Sequence, residues 1–229
     1  MHQARQNKTY AVDIETVSQG KRANDYTDGK DYKAPSNYKD QAKIDAKIEE
    51  QRQAARGKHG LHWFTGKVCS ISFVDVFGDD KPVSFYGFDE FNTLQLCAEF
   101  MEGSKLIGMN SKNFDFPFLV GRYMANGLKV PASLKQRTFQ YDVNEFFGWS
   151  NTSGQRGSLN DYAQGIGYKE KPLTGNKVQG IYDTALDAHM RSDKVALKAA
   201  WKQIVDYNVH DCEVVKSMAR AYYGTEGLN

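Results

Sequence analysis

The sequence predicts an α/β fold with a mixed sheet flanked by helices. Three observations lead there. Short β-prone apolar runs alternate with longer stretches at helical spacing, Gly and Pro punctuate the junctions, and no internal repeat or low-complexity tract intervenes. The 229 residues fit one domain, with residues 18–60 as a polar segment inserted in it. With 40% hydrophobic and 25% charged residues there is ample material for a core, which argues against disorder.

Residues 9–15 are apolar and β-prone until acidic residues appear at the end, the pattern of a first strand. The chain then turns polar. Between Lys21 and Lys58, ten Lys and Arg residues stand against seven Asp and Glu. Gly20, Gly29 and Pro35 mark the front half as a loop. From Tyr38 to Arg56 a surface helix is expected, capped by Ser36 or Asn37, because Ile44 and Ile48 form only a narrow apolar stripe. Residues 68–76 and 82–88 read as hairpin strands joined at Gly78-Asp79-Asp80. A helix over 90–102 stops at Gly103, and residues 105–108 form a short buried strand. Residues 116–125 form a helix with Asp115 at its cap, Pro117 in its first turn and Gly127 just past its end. Residues 138–143 follow as a strand. Ser158-Leu159-Asn160-Asp161 has the form of a capping box opening a short helix to Gly165. Residues 194–223 are helical by pattern, with room for one break.

Thirty basic and 28 acidic side chains leave a net charge of +2, with a pI of about 8.3. That is too weak for coating duplex nucleic acid through bulk charge, yet compatible with gripping a few nucleotides. Cys69, Cys97 and Cys212 are odd in number and scattered, which suggests neither a disulfide framework nor a zinc site. No apolar run approaches the ~20 residues that cross a bilayer. Met1 to Arg5 lack the apolar stretch of a secretion signal. A reducing cytoplasmic setting without a membrane is the expectation.

Three acidic stretches carry the chemistry. In Asp13-Ile14-Glu15, residues two apart on a strand share a face, so both carboxylates point the same way. They repel one another, and a divalent cation such as magnesium removes the conflict. The plain alternative is a polar strand end. In Asn110-Ser111-Lys112-Asn113-Phe114-Asp115-Phe116-Pro117-Phe118-Leu119, Asp115 sits where a strand and loop meet a helix, and simple N-capping is the alternative. In Tyr207-Asn208-Val209-His210-Asp211, Tyr207 and Asp211 lie one helical turn apart on one face. A phenol there can orient water beside a metal-bound carboxylate, against the alternative of Tyr in the core and Asp in solvent. His210 points elsewhere and is a bystander.

Taken in order, the three stretches resemble the exonuclease motifs of the DEDD superfamily, in its tyrosine branch. They are most similar to the proofreading domain of B-family DNA polymerases, where the second motif also carries an asparagine, then Asn-Phe-Asp and a proline. The likeness runs from residue 13 to 211. No polymerase region follows, so the chain resembles a stand-alone exonuclease of the kind bacteriophages encode. The stretch from Pro35 to Asp40 is similar to an insertion in such enzymes.

The resemblance implies a ribonuclease H-like fold and 3′→5′ exonuclease activity on single-stranded DNA, releasing nucleoside 5′-monophosphates. It implies two Mg2+ or Mn2+ ions held by Asp13, Glu15, Asp115 and Asp211. Asp13 would bridge both ions, Glu15 and Asp211 would support the water-activating one, and Asp115 would act through the second ion's water shell. Tyr207 would orient the attacking water. The partner would be a single-stranded DNA 3′ end, with replication or recombination proteins as further candidates and the host cytoplasm as the setting. Thr16, Asn110 and Phe114 would touch the strand, Phe114 by stacking worth ~1–3 kcal/mol per base.

Tyr26, Tyr32 and Tyr38 alternate with Lys21, Arg22, Lys30, Lys33 and Lys39, so residues 18–60 are expected to guide the strand, with Lys33 and Lys39 binding it. A solvated loop is the alternative. Phe146, Phe147 and Trp149 fit a core cluster better than a binding site. Asp142 fits a supporting role rather than a fifth ligand, and Lys169, Lys171 and Lys177 fit a solvated loop. Three other classes compete: an RNA exonuclease of the same superfamily, since contacts to the 2′-hydroxyl are not legible; a binding module without turnover; and a structure-specific endonuclease. The likeness of the second stretch to the polymerase motif favours DNA over RNA, the four carboxylates with the tyrosine favour an enzyme over a binding module, and the Tyr207/Asp211 pairing argues against an endonuclease.

Overall fold

The computed structural model describes residues 8–147, 157–168 and 177–224. Its centre is β1 (Thr9–Ser18), whose side chains alternate between two faces. Tyr10, Val12 and Ile14 enter one apolar core, while Ala11 and Val17 enter clusters on the opposite side. Around it stand β2 (Gly66–Asp75), β3 (Val83–Tyr86), β4 (Lys105–Gly108) and β5 (Gln140–Asp142), in the order β3-β2-β1-β4-β5. β2 runs antiparallel to β1 and β3, whereas β4 runs parallel to β1 and β5. This is the mixed sheet that the sequence predicts.

The helices α1 (Lys21–Asp28), α2 (Gln41–Arg56), α3 (Glu90–Met101), α4 (Asp115–Ala125), α5 (Ala132–Lys135), α6 (Leu159–Gly165), α7 (Val178–Met190) and α8 (Lys194–Tyr223) complete the described residues. α3 and α4 cover one face, with Leu94, Phe100, Phe116 and Leu119 packed among Val12, Ile71, Phe73 and Leu106. On the other face lies α8, whose Ile204, Cys212, Val215 and Met218 are buried, with α6 and α7 beside it. Full burial of each Leu, Ile or Phe side chain stabilises by about 1.5–3 kcal/mol. One buried ion pair ties the first face to its neighbours. Arg122 of α4 meets Glu90 of α3 at 2.9 and 2.5 Å and donates to the Trp63 carbonyl at 2.7 Å, while Glu90 accepts from the Val68 amide.

The hairpin, the helices over 90–101 and 115–125, and the capping box at Ser158 and Asp161 stand where the sequence puts them. Four differences are informative. The front half of the polar segment is helical rather than a loop: Ala23 and Thr27 of α1 are buried one turn apart, and Thr27 bonds the buried His59 at 2.6 Å. Such tertiary anchoring overrides weak local propensity. α2 starts at Gln41, capped by Asp40 rather than by Ser36 or Asn37, and buries no residue, as a surface helix should. β5 is confined to three residues between 3-10 turns, and α5 and α7 are additional. α8 is one unbroken helix of 30 residues, capped by the Asp193 carboxylate. Among the described residues, no helix is long and apolar enough to cross a membrane.

Candidate active site

Alternation along β1 sends Asp13 and Glu15 toward α8, on the face opposite Val12 and Ile14. The pairing with β2 slips between Glu15 and Thr16, with Cys69 as the extra residue on β2. A bulge of this kind twists the strand and re-aims the side chains beside it. Glu15 is buried and Asp13 half-buried.

Asp115 comes from the other side of β1. The β1–β4 pairing runs only from Thr9 to Ala11, and the Ile14 amide beyond it donates to Asp115 Oδ1 at 3.3 Å. The third carboxylate is thus bonded to the residue between the first two. Asp115 is not the helix cap that the simpler alternative supposes. It is the first residue of α4, and Phe114 holds the cap position without a side-chain bond. Burial lifts the Asp115 carboxyl to about 7; the Asp115 and Ile14 amides oppose that rise, and the Asp142 and Asp211 carboxylates add to it.

The loop before α4 is clamped. Asp142 accepts from the Asn110, Lys112 and Asn144 amides at 2.9, 3.1 and 3.0 Å, a supporting role as expected. Asn110 takes a left-handed conformation (φ 58°), which Asn tolerates better than most residues, and its side-chain oxygen accepts from Asn113. Gly108 is required by close approach, because a Cβ there would lie 2.9 Å from the Val12 carbonyl and 2.7 Å from Ser111 Cβ.

α8 supplies Tyr207 and Asp211, both buried on the face turned to the sheet. Burial, with Asp211, Glu15 and Asp13 nearby, raises the Tyr207 phenol well above its ordinary value, so it remains an O–H donor at neutral pH. Between them stands Asn208, wholly buried, for which the sequence pattern predicts no role. Asn208 Nδ2 donates to Asp13 at 2.6 Å, and Ser70 Oγ of β2 donates to Asn208 Oδ1 at 3.0 Å. Its place one residue after a candidate tyrosine is the sequence signal that could have pointed to it. His210 is not directed away from the site: its Nδ1 lies 3.4 Å from Asp211, and its ring meets Tyr168 edge-on.

The donor set is all oxygen, which suits magnesium or manganese, and a cation would favour the ionised form that burial opposes at Asp115. The Asp211 carboxylate acts on Asp115, and Asp211, Glu15 and Asp13 all act on Tyr207. Among the described residues, no three His, Cys, Asp or Glu side chains form a group that could hold an ion as they stand. Asp13 accepts from Asn208, and Asp115 accepts from the Ile14 amide.

The remaining candidates fall in different places. Thr16 donates to the Gly60 carbonyl at 2.6 Å, and Phe114 is half-buried beside Phe118. Lys33 and Lys39 lie exposed in the connection between α1 and α2, Lys33 beside Asp31. Phe146 stacks on Tyr222 at 4.1 Å and packs with the core, as a core cluster predicts. Lys177 is exposed at the start of α7. The Phe147 side chain, Trp149, Lys169 and Lys171 lie outside the described residues.

Among solved structures, the chain is similar to the family B DNA polymerase from the hyperthermophilic archaeon Pyrobaculum calidifontis, with a TM-score of 0.55 and 14% identity. The match covers 94% of this chain and 24% of the polymerase, so the chain spans about a quarter of that protein's length. No family model and no curated protein matches the chain. The likeness establishes the fold, which is a ribonuclease H-like mixed sheet flanked by helices.

Proposed function

We propose that this chain is a metal-dependent 3′→5′ exonuclease of the DEDD superfamily's tyrosine branch, acting on single-stranded DNA. The observation that carries the reading is the convergence at β1. Asp115 bonds the amide between Asp13 and Glu15, and α8 is joined to Asp13 through Asn208. Similarity in fold to a part of a DNA polymerase supports a nucleic-acid substrate.

Asp13, Glu15, Asp115 and Asp211 would hold two Mg2+ or Mn2+ ions, which when bound activate water and stabilise the leaving 3′ oxygen. Asn208, itself fixed by Ser70, holds the Asp13 carboxylate in one orientation. The Tyr207 hydroxyl would donate a hydrogen bond to the attacking water and orient it. Phe114 offers a ring to the terminal base, Asn110 lies exposed at the loop tip, and Thr16 follows Glu15 directly.

The test is a 5′-labelled single-stranded DNA oligonucleotide incubated with Mg2+, Mn2+ or EDTA, with Asp13→Ala as control. A metal-dependent ladder shortening from the 3′ end, absent in the variant, is the expected result. Folded protein that leaves DNA intact while degrading the matched RNA would overturn the DNA assignment. If both survive, the hydrolase reading fails in favour of a binding module.

A further inference from the structure

A cavity of about 420 Å3 lies between α1, α2 and the turn over residues 59–65. Its size is in the range of small-molecule sites. Tyr26 and Phe64 present their rings to solvent, 45% and 38% exposed, and meet edge to face at 5.2 Å. His62 stacks on Phe64, with centroids 5.4 Å apart and planes 13° from parallel. Lys30 stands 4.4 Å above the Tyr26 ring, and Lys58 lines the same space. The Tyr32 hydroxyl, from another lining residue, is buried and has no hydrogen-bond partner among the described residues. A hydroxyl left unpaired in this way is costly, and an acceptor on a ligand would satisfy it.

Exposed rings beside ammonium groups match a nucleotide: the base stacks on the aromatic surface and the phosphate meets the lysines. The wall of the cavity is also fixed to the strand that carries the carboxylates. Thr16, next to Glu15, donates to the Gly60 carbonyl at 2.6 Å, and the Gln19 amide donates to the Thr65 carbonyl at 2.9 Å. His59, bonded to Thr27 at 2.6 Å and to Ser18 at 3.3 Å, pins α1 to the same place. A chain held here is coupled to β1 through the backbone.

We infer that this cavity docks one nucleotide of the substrate strand, upstream of the 3′ end held at the carboxylates. The inference rests on the nucleic-acid reading above and assigns the inserted segment its task. It places strand binding on Tyr26, Phe64 and Lys30 rather than on Lys33 and Lys39.

The experiment is equilibrium binding in EDTA, where no turnover occurs, using two probes: a long oligothymidylate and thymidine 5′-monophosphate. Wild type is compared with Tyr26→Ala/Phe64→Ala and with Tyr32→Phe, which removes only the hydroxyl. Circular dichroism checks that each variant is folded. For the long strand, loss of about 10-fold or more in affinity is expected in the double variant and a few-fold loss in Tyr32→Phe. Equal long-strand affinity in wild type and both variants would overturn the inference. So would loss of monophosphate binding with long-strand binding intact, which would assign the cavity to free nucleotides. If wild type cleaves nothing but its long-strand affinity still depends on Tyr26 and Phe64, docking stands and the hydrolase reading falls.

Discussion

Replacing Asp115 with Asn is expected to stabilise the metal-free protein at neutral and alkaline pH, although it removes a candidate ligand. The side chain is 4% exposed, and burial lifts its carboxyl from an ordinary 3.8 to about 7. A difference of about 3 pH units is worth about 4 kcal/mol between the two protonation states. The folded value is raised above the unfolded one. The stability linked to this group is therefore fully present below about pH 3.8 and is lost as pH rises through about 7. Asn stays neutral throughout and can still accept from the Ile14 amide through its oxygen. Its advantage over Asp should be near zero around pH 4 and approach about 4 kcal/mol, as an upper bound, above pH 8. For a chain of this size that is on the order of 10 °C in melting temperature. Calorimetry in EDTA at pH 5, 6, 7 and 8 measures it. Adding Mg2+ should reverse the order, because the ion stabilises wild type by mass action and the Asn variant less. If Asp115→Asn melted at or below wild type at pH 8 in EDTA, or kept the same advantage at pH 5, the electrostatic argument would be refuted.

Three further outcomes follow from particular contacts. Asn208→Leu, which removes the donor to Asp13, should lower kcat about 10- to 100-fold and weaken the apparent Mg2+ affinity in a metal titration. Tyr207→Phe should leave strand affinity unchanged while kcat falls about 100-fold, since only the water-orienting hydroxyl is lost; an equal fall in affinity would make Tyr207 a packing residue. Arg122→Met leaves Glu90 buried and without its cation, so chemical denaturation should show a loss of about 3–5 kcal/mol, with Glu90→Gln costing less.

Local pattern alone picks out the candidate groups. The two-residue period of a strand puts Asp13 and Glu15 on one face, and the four-residue spacing of a helix does the same for Tyr207 and Asp211. Both are local geometry, so both are legible in the chain alone. The core strands and the helices over 90–101, 115–125 and 194–223 were legible for the same reason: hydrophobic periodicity is a local signal. Tertiary structure decided the rest. Asn208 and Asp13 are 195 positions apart, and Ser70 and Asn208 are 138 apart. Their contact depends on strand order and on the bulge at Cys69, which no local pattern encodes. Asp115 has the sequence of a helix cap, yet its oxygen goes to Ile14, because the short β1–β4 pairing leaves that amide to it. α1 forms on a segment of weak propensity because Thr27 and Ala23 are buried against residues far along the chain. The cavity it builds with α2 is lined by His59, which like Gly60 is bonded to β1. Local periodicity chooses which face a side chain takes, and only the packed fold chooses which neighbour that face will meet.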